Sequence, residues 1–316
     1  MPKFRINHMT KYTYEVPVRD SANQIMLYPI KDDHQEVLQH QIIVSGGVPI
    51  EVHLDYFGNE QGTFTHYHPH HDLVIDSRVV VVTRSKNSPE DSVAVNKQWE
   101  ELEKINSRFQ FMDFLKHDSF EGVSEVVAIV ENERMKSNSP LISAKALCSF
   151  VFEKFIYKKG ITTVESTLDE VWKIKTGVCQ DFAQILLAML RWINIPARYV
   201  SGYICPKKSG MRGEGATHAW VEAYIPFYGW IGLDPTNNCV VNDTHVRLAV
   251  GRNFSDCSPV KGTYRGTSEH TLEVSVSVSY EDGLVLEGSS EVIEPETVSS
   301  FSKNSYRRHQ EIQMQQ

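Results

Sequence analysis

A strongly amphipathic segment that follows Gly177 constrains the fold of this chain more than any other feature of its sequence. Its apolar side chains recur at intervals of three and four residues, which is the spacing of one face of an α-helix. Leu187 and Ala188 widen this face, and a face so wide indicates a helix that is buried on most sides. Pro196 ends the helix, because proline lacks the backbone N–H that a further turn needs. The sequence therefore predicts a central helix with the apolar residues Phe182, Ile185, Leu186, Met189, Leu190 and Ile193.

The N-terminal part of the chain predicts β-structure instead. Residues 4–14 and 73–82 are rich in β-branched and aromatic side chains, which are enriched in strands. Ser45-Gly46-Gly47 and Phe57-Gly58-Asn59 have the composition of turns and separate further short segments of the same kind. Strands at a spacing of roughly ten residues are typical of a β-sandwich or a small barrel.

The pattern changes near residue 90, where a polar segment ending in Pro89 interrupts the strands. Helical spacing returns in residues 141–157 and again after Thr167, and strand-like segments follow the central helix. We therefore predict an α+β protein in which the central helix packs on an antiparallel sheet. Its predicted parts are an N-terminal β-sandwich-like domain (1–90), a core that carries the chemistry (91–281) and a polar C-terminal tail (282–316) that we expect to be mobile.

Composition and charge argue against several classes of protein. The formal net charge of −8 at pH 7 is unfavourable for a nucleic-acid-binding surface. The longest apolar stretch is interrupted by charged residues, and the N-terminus lacks the apolar segment of a signal peptide. The five cysteines are an odd number without a C-x-x-C pair, which leaves at least one thiol unpaired and gives no support for structural zinc. We expect a cytoplasmic protein that binds neither nucleic acid nor membrane and needs no cofactor.

Cys179 occupies a chemically distinctive position, because it opens the central helix. The positive end of the helix dipole favours a thiolate there, and the thiolate is the nucleophilic form of cysteine. We interpret Gly177 as the residue that lets the backbone turn sharply enough to present the sulfur to a cleft. The alternative interpretation is that Cys179 is a small buried apolar side chain, the common role of a free cysteine.

A cysteine nucleophile needs a base, and His218 begins an aromatic-rich strand-like segment downstream of the helix. A short turn leads from this segment to a second one that ends at Asp234. In an antiparallel pair the two side chains share a face only if the facing positions sum to an even number. A register that sets Asp234 opposite Trp220 meets this condition and places Asp234 diagonal to His218 and within reach. A register shift of one residue would send the two side chains to opposite faces. Taken separately, His218 could be a core histidine and Asp234 a cap at a strand end.

The order of Cys, His and Asp along the chain favours a catalytic triad over these separate roles. In such a triad Asp234 orients His218, and His218 exchanges a proton with Cys179. The backbone N–H of Cys179 is a natural donor to an oxyanion. Gln180 and the indole of Trp172 are both candidates for a second donor, and the sequence does not choose between them.

Separate blocks of the sequence resemble the bacterial transglutaminase-like family, which is also described as a family of cysteine proteases. The resemblance implies a papain-like core with Cys179 as nucleophile, His218 as base and Asp234 as orienting acid. It also implies a protein or peptide substrate. The sequence departs from the family pattern at Gln180, Asn194 and Asn253, where Arg, Gly and Asp are more common. The blocks are Gly177-Val178-Cys179-Gln180-Asp181, His218-Ala219-Trp220, Gly232-Leu233-Asp234-Pro235, Gly251-Arg252-Asn253 and, near the N-terminus, Asp55-Tyr56-Phe57-Gly58-Asn59.

We expect the chemistry to begin with attack of Cys179 on an amide or peptide carbonyl, which forms a thioester and releases an amine. Water then completes hydrolysis, and a second amine completes transamidation. The resemblance favours hydrolysis. The alternatives are transamidation, a binding module of the same fold without catalysis, and an acetyltransferase with the same triad order.

The histidines of residues 66–71 form a second cluster of titratable side chains. On a strand, His66, His68 and His70 would share one face and could approach a metal ion. Pro69 interrupts the strand, however, and no complete ligand set accompanies the histidines. We therefore predict a surface strand here and no metal site.

Overall fold

The computed structural model describes residues 1–87, 89–163, 166–205, 211–213, 217–280 and 289–293. In chain order up to the central helix, the elements are β1 (Lys3–Ile25), β2 (Gln35–Val44), β3 (Glu51–Leu54), β4 (Glu60–His66), β5 (His70–Thr83), α1 (Val95–Asn106), α2 (Phe109–Met112), α3 (Val123–Met135), α4 (Pro140–Lys154), β6 (Ile156–Tyr157), α5 (Leu168–Ile174), β7 (Thr176–Gly177) and α6 (Cys179–Trp192). The elements that follow are β8 (Ala197–Ile204), β9 (Thr217–Ile225), β10 (Gly229–Asp234), β11 (Cys239–Val240), β12 (His245–Gly251), α7 (Phe254–Cys257), β13 (Val260–Arg265), β14 (His270–Tyr280) and β15 (Ser289–Ile293).

The N-terminal strands form an antiparallel sheet organised around the long strand β1. The first part of β1 lies between β5 and β14, and its last residues lie between β4 and β13. Alternate side chains of β1, such as those of Phe4, Ile6 and Tyr12, point into the apolar core of this domain. The predicted N-terminal β-structure is thus confirmed.

The domain division that we predicted differs from the strand pairing in one respect. Strands β13 and β14 lie in the 91–281 segment that we assigned to the core, yet they pair with β1 in the N-terminal sheet. Strand β15, which lies in the 282–316 tail, pairs with β14, and the rest of that tail is outside the described residues. Period-two alternation identifies a strand but not its partner, and partners so distant in sequence leave no local signal.

The second sheet has the strand order β11-β10-β9-β8-β12, and the helix α6 packs against one of its faces. Ile185, Leu186 and Met189 of α6 have no solvent-exposed surface. The central buried helix on an antiparallel sheet is therefore confirmed. The second sheet also contributes Tyr203, Val246 and Leu248 to the core of the N-terminal domain.

Hydrogen bonds between side chain and backbone join the N-terminal sheet to the second sheet. The amide of Asn59 donates to the carbonyl of Val250 and accepts from the N–H of the same residue, at 2.8 Å each. Gln35 makes the corresponding pair of bonds with the backbone of Arg247. No helix in the described part of the chain is both long and apolar enough to cross a membrane.

Candidate active site

Cys179 is the first residue of α6, and its side chain is largely buried. The carboxylate of Asp181 caps this end of the helix, because it accepts hydrogen bonds from the N–H of Val178 at 2.8 Å and from the hydroxyl of Thr162 at 2.7 Å. Burial raises the pKa of Asp181, and these bonds oppose the shift. The cap holds Cys179 at the positive end of the helix dipole.

Gly177 is required here for space rather than for an unusual backbone conformation. Its φ does not lie in the left-handed region. A Cβ atom at this position would instead lie 2.4 Å from Oδ2 of Asp181 and 2.8 Å from its Cβ. The interpretation of Gly177 as a sharp turn is therefore replaced by close packing of the chain against the helix cap.

We expect Gly177→Ala to lower the free energy of unfolding by about 1–3 kcal/mol, the usual cost of overpacking a dense site. The added methyl group must push Asp181 away from the N–H of Val178. Urea denaturation measures the loss. The double variant Gly177→Ala/Asp181→Ala removes Oδ2 and Cγ, two of the three Asp181 atoms that the methyl group meets. If the losses of unfolding free energy from the two substitutions proved additive in the double variant, the contact between the methyl group and Asp181 would not be the cause of the loss.

The register of β9 and β10 satisfies the geometric condition for contact between His218 and Asp234. Leu233 pairs with Val221, so the next residues in register, Asp234 and Trp220, face each other. Nε2 of His218 lies 2.9 Å from Oδ2 of Asp234, and both side chains are fully buried. The structure thus brings these two predicted residues into direct contact.

Several donors surround the carboxylate of Asp234. Its Oδ1 accepts the backbone N–H of Thr236 at 2.9 Å and that of Asn237 at 3.3 Å. Its Oδ2 accepts the side-chain amide of Asn237 at 2.8 Å in addition to His218. Burial alone would raise the pKa of Asp234, but the charge of His218 and hydrogen bonds from His218 and His245 lower it far below its usual range. Asp234 is therefore an anion at every physiological pH.

The ring of His218 lies between Asp234 and Cys179. Burial acts to lower the pKa of His218, but the charge of Asp234 and the proximity of Cys179 raise it to about 10. Nδ1 of His218 is buried and makes no hydrogen bond of regular geometry to the described residues, although the Cys179 thiol is near enough to shift the ring's pKa. Gly213 covers the same nitrogen, because a Cβ there would lie 2.7 Å from Nδ1.

His245 is a site residue that the sequence analysis missed. Its Nε2 lies 3.4 Å from Oδ2 of Asp234, and its ring packs edge-on against Trp220. Among the residues that the structure describes, His218, Asp234 and His245 are the one group of three potential metal ligands, with donor atoms within 4.8 Å of one another. An ion bound there would have to replace the hydrogen bond that orients His218.

The two candidates for a second oxyanion donor lie in different surroundings. The indole N–H of Trp172 donates to Oε2 of Glu125 at 3.1 Å, so this group already has an acceptor inside the protein. Gln180 is buried and lines a cavity of about 180 Å³ together with Gln184 and Asn253. Gln180 directly follows Cys179 in α6, which keeps Gln180 as the better candidate.

The histidines of residues 66–71 are arranged by hydrogen bonds within their own segment. Nδ1 of His66 and Nδ1 of His70 lie 3.2 and 2.8 Å from the carbonyl oxygen of His68. The two rings lie 4.1 Å apart, and burial lowers the pKa of His66. Within the described residues no third ligand joins them.

Comparison with protein families matches two regions of the chain. Residues 128–235 match the transglutaminase-like superfamily, and residues 4–82 match the bacterial transglutaminase-like N-terminal region. The first match contains Cys179, His218 and Asp234.

Individual proteins extend this similarity over the whole fold. Uncharacterized protein ML0607 of Mycobacterium leprae is 32% identical over 283 residues, which are 88% of this chain and 99% of that protein. The protein-glutamine gamma-glutamyltransferase of Pseudomonas aeruginosa is 31% identical over 117 residues, 34% of this chain and 18% of that protein. The crystal structure of a "putative cysteine protease" from Cytophaga hutchinsonii superposes with a TM-score of 0.69 at 21% identity and covers 96% of both chains. That likeness shows the fold.

Proposed function

The chain belongs to the transglutaminase-like superfamily, and on this premise we propose that it is a cysteine-dependent enzyme that hydrolyses amide or peptide bonds through a thioester. One observation carries the proposal: a fully buried His218–Asp234 pair lies beside Cys179 at the start of α6. A fold alone has no need of this arrangement, because burying two charged groups costs free energy that an apolar pair would not cost.

The proposed reaction proceeds in two acyl-transfer steps. His218 accepts the proton of Cys179, the sulfur bonds to the carbonyl carbon, and the C–N bond breaks as His218 returns the proton to the departing amine. Water then attacks the thioester and gives one proton to His218, which restores the thiol as the carboxylic acid leaves. Asp234 stabilises the imidazolium in both steps, and the backbone N–H of Cys179 donates to the oxyanion.

Transamidation is the second candidate. It is supported by the similarity of about a third of this chain to a protein-glutamine gamma-glutamyltransferase. The two reactions share the first step and differ in whether water or an amine reaches the thioester. A binding module of the same fold is the remaining alternative.

We expect incubation with dimethylcasein and a fluorescent primary amine to release ammonia or new peptide termini without attaching the label. Mass spectrometry of the casein measures both outcomes. Cys179→Ser is the matched control, because it removes the proposed nucleophile and changes a single atom. Label on casein glutamines would assign transamidation. Unmodified casein, although Cys179 reacts rapidly with a small alkylating agent, would contradict hydrolysis of this class of substrate.

We also propose that the protein works in the reducing cytoplasm. None of the five cysteines is in a disulfide bond, and a thiol nucleophile stays active where thiols stay reduced. Fractionation of cells that express the full chain, with a periplasmic marker beside a cytoplasmic one, tests this location.

A further inference from the structure

We propose that His245 is a positioning residue that holds Asp234 in the orientation that His218 requires. The inference deepens the proposed function, because it explains how the His218–Asp234 pair of the proposed active site is maintained. It concerns a residue of β12, whereas His218 and Asp234 lie on the hairpin of β9 and β10.

His245 and His218 both contact the same atom, Oδ2 of Asp234. Nε2 of His218 lies 2.9 Å from Oδ2 of Asp234, and Nε2 of His245 lies 3.4 Å from the same oxygen. The His245 side chain is almost fully buried, and the centroids of the two rings are 6.2 Å apart. The carboxylate is thus held between two imidazoles.

The surroundings of His245 favour its neutral form with the proton on Nε2. The hydroxyl of Thr244 lies 3.1 Å from Nδ1, where it can donate to the ring. Burial lowers the pKa of His245, and the charge of Asp234 opposes this shift only in part. His245 therefore donates to Asp234 without adding a second positive charge beside the imidazolium of His218.

Loss of the His245 ring would open space beside Asp234, whose remaining donors are His218, Thr236 and Asn237. His245 contacts Asp234 and also lines a cavity of about 240 Å³. Asp243, two residues before His245 in sequence, acts to raise the pKa of His245. The charged side chains that line the cavity are Asp32, Arg84, Lys86, Arg198, Glu222 and Arg247. A carboxylate that turned toward the arginines and the lysine among them would no longer face His218.

Two variants of His245 test the inference. His245→Gln keeps an N–H donor near the position of Nε2, whereas His245→Leu removes the donor and retains an apolar side chain of similar bulk. NMR titration of isotope-labelled histidine in the presence of EDTA reports the pKa of His218. We expect His245→Leu to lower this pKa by about one unit, a tenfold change in its protonation equilibrium, and His245→Gln to keep it within about 0.3 units of the original.

His8→Leu is the matched control, because His8 is also a buried histidine, but its ring bonds the hydroxyl of Tyr203 on β8 and not Asp234. It should leave the titration of His218 unchanged. A folded His245→Leu variant with an unshifted His218, or equal shifts in the Leu and Gln variants, would overturn the inference. If His245→Leu fails to fold, two other variants decide the test. The inference then requires that His218 keep its original pKa in His245→Gln and show a lower pKa in His245→Asn, whose shorter side chain cannot bring its amide to Asp234.

This readout separates the inference from the proposed function. The titration of His218 is measured without substrate, so it does not depend on whether Cys179 performs catalysis. A shifted His218 in a protein whose Cys179 is unreactive would preserve the role of His245 and contradict the enzyme. A reactive Cys179, together with an unchanged pKa of His218 in His245→Leu, would support the enzyme and contradict the role of His245.

Discussion

Replacing His218 with alanine should slow the alkylation of Cys179 by iodoacetamide at pH 6 by tenfold or more. An ordinary thiol is almost entirely protonated at that pH and therefore reacts slowly. His218 is buried between Cys179 and the anion of Asp234, which raises the pKa of the ring to about 10. The ring can therefore keep the proton that Cys179 gives up, and alanine cannot. Mass spectrometry of tryptic peptides at timed intervals measures the rate at each cysteine.

The other four cysteines provide an internal reference. Burial raises the pKa of Cys148, Cys205 and Cys257 far above its usual range, and it raises the pKa of Cys239 to about 12. These thiols should react slowly at pH 6 with or without His218. Cys239→Ser is a suitable control variant, because Cys239 is the most accessible of the four. Equal reactivity of all five thiols in the unaltered protein would remove the basis for a Cys179 nucleophile.

Replacing Asp234 with asparagine should lower the free energy of unfolding by about 3–5 kcal/mol at pH 6, the cost of leaving a buried charge without its partner. Asparagine preserves the shape of the side chain and can still accept the N–H of Thr236. It cannot balance the imidazolium of His218, and burial then lowers the pKa of the ring against the opposing influence of Cys179 only. Urea denaturation at several pH values measures the loss.

The pH dependence of this loss has a definite sign. Folding lowers the pKa of Asp234, so its contribution is present above the unfolded value of about 3.9 and is lost as the pH falls. Folding raises the pKa of His218 from 6.5 to about 10, so its contribution is complete below 6.5 and is lost as the pH rises through 10. The difference between the two proteins should therefore be largest between about pH 4 and 6.5 and decline toward pH 10.

A surface ion pair serves as the control for this prediction. Asp76 contacts Arg78 at 2.7 Å, but the side chain of Arg78 is 60% exposed. Asp76→Asn should change the free energy of unfolding by less than about 1 kcal/mol, with little dependence on pH. A loss in Asp234→Asn as small as this, or one that is constant from pH 5 to pH 9, would mean that the buried pair does not contribute as its geometry indicates.

Local patterns in the sequence, together with the family resemblance, predicted Cys179, His218 and Asp234 as neighbours. The wide apolar face of α6 identifies a buried helix, and Cys179 opens it. His218 and Asp234 lie on strands joined by a short turn, so few registers connect them. The sequence allowed a contact or a separation by one residue of register, and the observed pairing of Leu233 with Val221 is the one that gives the contact.

Residues brought together by distant strands were beyond the sequence analysis. His245 lies on β12, which is separated from β10 by two other strands of the sheet. A lone histidine in an alternating strand has no feature that connects it to a particular carboxylate. The sequence analysis missed the pairing of β13 and β14 with the N-terminal sheet for the same reason. Alternation of apolar and polar residues identifies the two faces of a strand but not its partner strands.

The sequence by itself determined the class of the fold, the central helix and the residues whose chemistry depends on a helix end or a tight hairpin. These features arise from periodicity and from contacts between near neighbours, which the order of residues records directly. The tertiary structure alone decided that the absence of a side chain at Gly177 makes room for Asp181 and that Asp234 lies between two histidines. It also decided that β13 and β14 pair with β1 in the N-terminal sheet. Those features depend on which surfaces meet across long loops, and burial of apolar area selects among such arrangements only when the whole chain is folded.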